Sequence, residues 1–292
     1  MIRKIVKITG IVLAGLFLLT AVFYLVAYQD IQERINKVYD INPEPITVHY
    51  DTTSIQLGTR LAIAKGCTGC HSADLGGRIF IDDAHKLGYF VASNLTSGKG
   101  GLPEGYGYRD WVLAIKHGIR RNGKPLFIMP SHEFNSLTER DMGAIIAYAS
   151  NLPAINREFE KSQLGPLGTV LTYLNKIPLL PAEKIDHSRK MVKQVKAEVS
   201  ADYGKYLSAT CQGCHRPNMK GGEPLAPGFP PVPDISSTGH PGSWTHDQFV
   251  TTIRTGKTPE GKPLDPKEMP WKSASAFTDD ELTAIHLYLN SL

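Results

Sequence analysis

The sequence predicts an all-α chain in which two tandem helical domains follow an N-terminal membrane-spanning helix. Three observations lead there. Residues Ile8 to Gln29 form 22 consecutive positions without a formal charge. All four cysteines fall in one short motif that occurs twice. The second half of the chain repeats landmarks of the first at an offset of about 140 residues.

The charge-free run is dominated by Ile, Val, Leu, Phe and Ala. As a helix, 22 residues reach ~33 Å, enough to cross the ~30 Å hydrocarbon core of a bilayer. A cleaved signal peptide has a shorter apolar core and a small-x-small site, whereas Leu25-Val26-Ala27 puts a bulky residue where a small one is required. Tyr24 and Tyr28 fall where an interfacial aromatic belt belongs. The expectation is a retained anchor over residues 5–29. Arg3, Lys4 and Lys7 precede it, which keeps the N-terminus in the cytoplasm and everything after residue 30 outside.

Length and composition narrow the rest. The 292 residues allow about two domains, and 41% hydrophobic with 21% charged residues is ordinary globular usage. The net charge is +4, and Arg3, Lys4 and Lys7 carry three of those charges. No basic field is left for gripping nucleic acid, so no nucleic-acid partner is expected. Four cysteines are too few for a disulfide scaffold of this size.

Those cysteines read Cys67-Thr68-Gly69-Cys70-His71 and Cys211-Gln212-Gly213-Cys214-His215. C-x-x-C-H is the attachment sequence of c-type haem. Two thiols at this spacing add to the two vinyl groups of one porphyrin, and the histidine that follows reaches the iron. Zinc ribbons place their cysteine pairs about 15–20 residues apart, whereas Cys70 and Cys211 are 141 apart. No βαβ pattern surrounds either pair, as a thioredoxin-like site would need, and a structural disulfide would not require His71 or His215. The expectation is two covalently bound haem c groups, on Cys67 and Cys70 and on Cys211 and Cys214.

The repeat sets the domain plan. Asn94-Leu95-Thr96 answers to Asp234-Ile235-Ser236, Gly123-Lys124-Pro125-Leu126 to Gly261-Lys262-Pro263-Leu264, and Met129-Pro130 to Met269-Pro270. The domains expected are 50–155 and 198–292, with a connector over 156–197. Each ends in a helix N-capped by Thr138 or Thr278, with Asp141 and Glu281 at the capping-box position. Behind the caps, Ala144, Ile145, Tyr148 and Leu152 match Ala284, Ile285, Tyr288 and Leu292 as one apolar face. Helices are expected to lead into each pentad, over Gly58–Lys65 and Tyr203–Thr210, and to fill each middle, over Trp111–Ile119 and Phe249–Ile253. Gly221–Pro233, with five prolines, admits no regular helix. The connector carries a charged stretch over Pro181–Val199 and room for one exposed helix.

A haem held by one histidine needs a second axial ligand or keeps an open position. Met129 lies 58 residues after His71, and Met269 lies 54 after His215. Both precede proline and the capped terminal helix, so the repeat singles them out as the sulfur ligands opposite His71 and His215. His132 competes in the first domain. Met142 falls in a helix opposite Leu282 and reads as core, and Met219 is too close to His215 to reach the far face.

With these residues in view, the chain resembles two class I cytochrome c domains. The stretches Asn94–Pro130 and Asp234–Pro270 further resemble the cytochrome c subunits of membrane-bound alcohol, gluconate and related periplasmic dehydrogenases. Those subunits usually carry three haem domains and a C-terminal anchor; two haem motifs and an N-terminal apolar run are read here. The resemblance implies a membrane-anchored di-haem electron carrier rather than an enzyme, on the outer face of a bacterial cytoplasmic membrane. Its expected partners are other redox proteins: a dehydrogenase, an oxidase or a small cytochrome. The alternative is a di-haem cytochrome c peroxidase, which needs one open haem. Equivalent Met-Pro pairs in both repeats argue against that asymmetry.

Overall fold

The computed structural model describes residues 2–225 and 228–292. It opens with one long helix, α1 (Ile2–Asn36), whose 35 residues extend past the expected anchor. Its residues up to Thr20 project alone, with Ile8, Leu13, Leu16 and Phe17 all exposed. Ala27 and Ile31 are fully buried, because the last turns dock on the body. There Arg34 forms a two-pronged ion pair with Glu183, Nε and Nη2 donating at 2.8 and 2.6 Å. Ile35 joins a cluster with Phe90, Leu179 and Leu180.

After α1 the same order of elements occurs twice. In the first unit, α2 (Thr52–Ala64) leads into α3 (Cys67–His71), followed by a long loop, α4 (Tyr108–His117), α5 (Ser131–Phe134) and α6 (Glu139–Ser150). In the second, α8 (Ala201–Leu207) runs through a 3-10 turn at Ser208–Cys211 into α9 (Gln212–His215). Then come α10 (His246–Thr255), α11 (Trp271–Ala274) and α12 (Asp279–Asn290). Each first helix crosses the last helix of its unit at a glycine. A Cβ on Gly58 would stand 1.9 Å from the Ala144 carbonyl oxygen, and one on Gly204 would stand 1.9 Å from that of Ala284. Only glycine lets the two backbones approach so closely.

The middle helices also match. Both end in a glycine with positive φ, Gly118 at 65° and Gly256 at 68°, the left-handed conformation that stops a helix. Each unit has its own core. One gathers Leu61, Leu75, Trp111, Val112, Met142 and Ile146; the other gathers Leu207, Met219, Phe249, Phe277, Leu282 and Ile285. Met142 is fully buried, in keeping with its reading as core. Leu292, expected on the apolar face of the last helix, is exposed because α12 stops at Asn290.

The chain is mostly helical but not all-α. The loop after the first pentad folds into β1 (Arg78–Asp83) and β2 (Gly88–Ala92), which pair antiparallel, and β3 (Gln163–Leu164) adds to β2. Ile79-Phe80-Ile81 and Tyr89-Phe90-Val91 are strand formers, and the register shifts between Ile79 and Ile81. Among its described residues the proline-rich loop of the second unit makes a single bridge, Gly222–Val232, since proline cannot donate to a ladder.

Residues 156–197 do not hang free. They supply β3, α7 (Pro166–Tyr173) and a 3-10 turn at Pro181–Lys184. They then return over the first unit, where Glu139 and Arg140 donate backbone N–H groups to the Val192 and Lys193 carbonyls. The helix of this segment is therefore in its apolar part, and the charged part is held as an extended strap.

Candidate functional site

The two pentads adopt the same local geometry. In each, the histidine is the last helical residue and the next residue turns sharply: Ser72 has φ 70° and ψ 162°, Arg216 φ 68° and ψ 166°. Three residues further on, Leu75 and Met219 also take positive φ, both buried. Their carbonyls accept from Leu95 and Ile235, and the His71 and His215 carbonyls accept from Gly77 and Gly221. Met219 thus occupies the position of Leu75 and is a buried core residue.

The imidazoles are oriented by backbone. His71 Nδ1 lies 2.8 Å from the Ser93 carbonyl, and His215 Nδ1 lies 2.9 Å from that of Pro233. A carbonyl only accepts, so Nδ1 carries the proton and Nε2 keeps its lone pair. Burial lowers both histidine pKa values and the hydrogen bond partly offsets it, so both rings are neutral near pH 7. A neutral imidazole with its far nitrogen free and its near one tied to a carbonyl is the arrangement a metal-bound histidine uses.

None of the four cysteines pairs in a disulfide, and all four are half-buried. Burial pushes Cys67 and Cys211 up to about 11, so they are protonated near neutrality rather than reactive thiolates. Met129 packs against the first core cluster and Met269 against the second, where Cys211 also packs. Each methionine is followed by proline and a single helical turn, and Ser131 and Trp271 each donate back to the methionine carbonyl, at 2.8 and 2.7 Å. His132 lies in α5 with Nδ1 buried and without a hydrogen-bond partner among the described residues. In the second unit the buried indole N–H of Trp244 likewise has no partner among them.

This donor set fits haem c. Cys67, Cys70, Cys211 and Cys214 would hold two porphyrins through thioethers, and His71 and His215 would offer Nε2 to the irons. Met129 and Met269 would offer soft sulfurs, and the unpaired Trp244 N–H suits a buried carboxylate. Among the described residues no group of three or more His, Cys, Asp or Glu side chains is placed to hold a metal ion by itself.

Residues 201–292 match the Cytochrome c family. The chain carries a cytochrome c domain. That domain spans α8 to α12 with the second pentad. Over a longer stretch the chain is 26% identical to the fructose dehydrogenase cytochrome subunit of Gluconobacter japonicus, covering 86% of this chain and 54% of that protein. It is 26% identical to the cytochrome c subunit of the quinone alcohol dehydrogenase of Gluconacetobacter polyoxogenes, over 83% of this chain and 56% of that protein. A 98-residue stretch is 33% identical to the gluconate 2-dehydrogenase cytochrome c subunit of Pantoea cypripedii, covering 22% of that protein. The chain spans about half the length of the first two relatives.

The structure also brings together residues that sequence reasoning passed over. Lys65, two positions before Cys67, is buried and donates from Nζ to the Leu207 carbonyl at 2.8 Å. The same ammonium stands over the rings of Tyr206 and Phe277, 5.6 Å from each centroid. Glu133, four positions after Met129, lies against the turn between Cys211 and Cys214, since a Cβ on Gly213 would sit 1.9 Å from its Oε1. Burial pushes the Glu133 carboxyl up to about 8. Its charge adds to the effect of burial in raising the thiols of Cys70, Cys211 and Cys214. Both pentads therefore border the same contact between the units. The one signal available was that Lys65 and Glu133 have no counterpart in the other repeat, where Ala209 and Ser273 stand.

Proposed function

We propose that this chain is a membrane-anchored di-haem c-type cytochrome, with cytochrome c domains over 50–155 and 198–292. In this reading it passes single electrons on the outer face of the bacterial cytoplasmic membrane as the cytochrome subunit of a dehydrogenase. The observation that carries it is the duplicated pentad, with both imidazoles pinned through Nδ1 at 2.8 and 2.9 Å and neither Nε2 hydrogen-bonded among the described residues. Haem c supplies a one-electron ferric/ferrous couple, whose potential thioether ligation raises. The protein's part is to hold each ring orientation, keep water from the iron with its core clusters, and fix the two centres relative to each other. Four contacts between the units do the last: Lys65 to Leu207, Arg60 to Glu281, Tyr206 to Asp141 and Glu133 against Gly213.

The relatives named above support a dehydrogenase as partner. α1 supports the anchor, as the one helix among the described residues long and apolar enough to cross a membrane. The test is the mass of the purified holoprotein together with what accompanies it out of mild detergent. The expected result is two haem additions per chain and a co-purifying dehydrogenase flavoprotein or quinoprotein. One haem addition would remove the first-domain site, and release as a lone water-soluble protein would remove the membrane assignment.

A further inference from the structure

α7 is built inside out for a helix that faces water. Its buried face is Gly168, Thr169 and Thr172. The two hydroxyls bond back into the helix, to the Gly165 and Gly168 carbonyls at 3.0 and 2.7 Å. A Cβ on Gly168 would stand 2.1 Å from the Leu87 carbonyl oxygen, so small residues are required on that side. The opposite face carries Leu167, Leu171 and Leu174, at i, i+4 and i+7. Leu167 is 45% exposed and Leu174 47%. A water-facing helix buries its leucines and exposes its hydroxyls. The whole stretch from Ser162 to Asn175 is without formal charge, and lysines bound it at positions 161 and 176.

The position of α7 explains the reversal. It packs along α1, with Tyr173 edge-on to Phe23 at 5.8 Å between ring centroids. Phe23 lies six residues before Gln29, the end of the charge-free run, or ~9 Å along the helix axis. A body segment that meets the anchor this far inside its apolar run lies at the boundary of headgroups and acyl chains. At the same height α1 itself exposes Val22 and Val26.

We propose that α7 is a second membrane contact, an interfacial helix whose Leu167, Leu171 and Leu174 sit in the outer leaflet of the bilayer that α1 crosses. The proposal rests on the reading of α1 as a retained anchor. Its occupant is lipid, because the face is continuous with the spanning helix and bounded by Lys161 and Lys176, whose ammonium groups can reach the headgroups. With two contacts, α1 and α7, the first unit is held in one orientation over the membrane rather than swinging on a stalk.

The test uses the full chain, expressed with photo-leucine in place of leucine and reconstituted as holoprotein in nanodiscs of phosphatidylethanolamine and phosphatidylglycerol. Irradiation followed by peptide mass spectrometry reads every leucine in one sample. The expected result is lipid adducts at Leu167, Leu171 and Leu174 in yields comparable to those at Leu13. Leu287, an exposed leucine of the second unit, should give water adducts alone. Water adducts alone at the three α7 leucines, or cross-links from them to a second copy, would overturn the proposal while lipid adducts at Leu13 left the anchor standing. Loss of lipid adducts at Leu13 as well would overturn both.

Discussion

The Tyr206 hydroxyl donates to Asp141 Oδ2 at 2.6 Å and accepts from the Thr138 backbone N–H at 3.3 Å. It thereby completes, from the second unit, the N-terminal cap of a helix in the first. In α12 the reciprocal exchange is made within the helix: Glu281 N donates to Thr278 Oγ1, and Glu281 Oε2 accepts from Thr278 N at 2.8 Å while also accepting from Arg60 of the first unit. In α6 the first half of that exchange is present, Asp141 N to Thr138 Oγ1 at 3.2 Å. The aspartate accepts from Tyr206 instead of from Thr138 N, and the tyrosine oxygen takes that N–H. The expected reciprocal capping box at Thr138 is thus replaced by a bridge between the units.

Tyr206→Phe removes that oxygen and leaves Thr138 N and Asp141 Oδ2 unpaired in a half-buried site. The expected cost is roughly 1–3 kcal/mol of stability, read as a lower midpoint in denaturant unfolding of the holoprotein. Thr278→Ala, which breaks a cap within one unit, should cost about 1 kcal/mol. The two differ in a second readout: only Tyr206→Phe should speed proteolysis between the units. Equal proteolysis of the two variants would show that the bridge does not couple them.

Glu133 gives a pH dependence with a definite sign. Its carboxyl titrates near 8 in the folded chain, against 4.5 ordinarily, because burial disfavours its charge. Between those values the folded protein holds a proton that the unfolded chain releases. The part of the stability that Glu133 contributes is therefore full below about 4.5, falls as pH rises through the window, and levels off above about 8. The slope contributed cannot exceed one proton, about 1.4 kcal/mol per pH unit. Glu133→Gln should flatten that part of the profile, measured by urea unfolding at a series of pH values, and an unchanged profile would place the carboxyl in water.

Much of this arrangement was legible because it is local. A pentad and a threonine cap with an acid three residues later are each written within about five residues, and each recurs in the other repeat. What escaped lies in pairs far apart in sequence. Tyr206 and Asp141 are 65 residues apart, and Lys65 and Leu207 are 142 apart, and no periodicity marks such partners. The small sheet escaped for another reason. Ile79-Phe80-Ile81 is bounded by Arg78 and two aspartates and interrupted by a register shift, so neither face alternates cleanly. α7 opens at Gly165-Pro166, a pair that marks loops as readily as it opens a helix, where proline is well placed in the first turn.

The glycine crossings make a sharp prediction. A Cβ at Gly58 or Gly204 meets a backbone carbonyl rather than a flexible side chain, so the neighbour cannot rotate away. Gly58→Ala and Gly204→Ala should each cost about 1–3 kcal/mol or more by forcing the two helices apart. Gly69→Ala, where the same atom meets nothing within 4 Å, should be nearly neutral in stability. Thermal unfolding of the three holoproteins ranks them, and a neutral Gly58→Ala would refute the close crossing.

The sulfur assignment and the carrier reading stand or fall together. If Met129 and Met269 each fill a sixth position, no site remains where an exogenous molecule can reach iron, and the chain carries electrons without turning over peroxide. The ferric protein should then show the weak long-wavelength absorption of sulfur–iron bonds, and carbon monoxide should barely change the spectrum of the reduced form. Met269→Ala should remove about half of that absorption, lower one potential, and let the second-unit centre take up carbon monoxide; Met129→Ala should do the same for the first. His132 is the rival in the first unit, its Nδ1 buried without a partner among the described residues. Were it the ligand, Met129→Ala would leave the spectrum intact while His132→Ala opened the centre. Stoichiometric carbon monoxide binding and peroxide consumption by the unmodified protein would instead mark one open haem and the peroxidase alternative. The open unit would then be the one whose methionine substitution had no further effect.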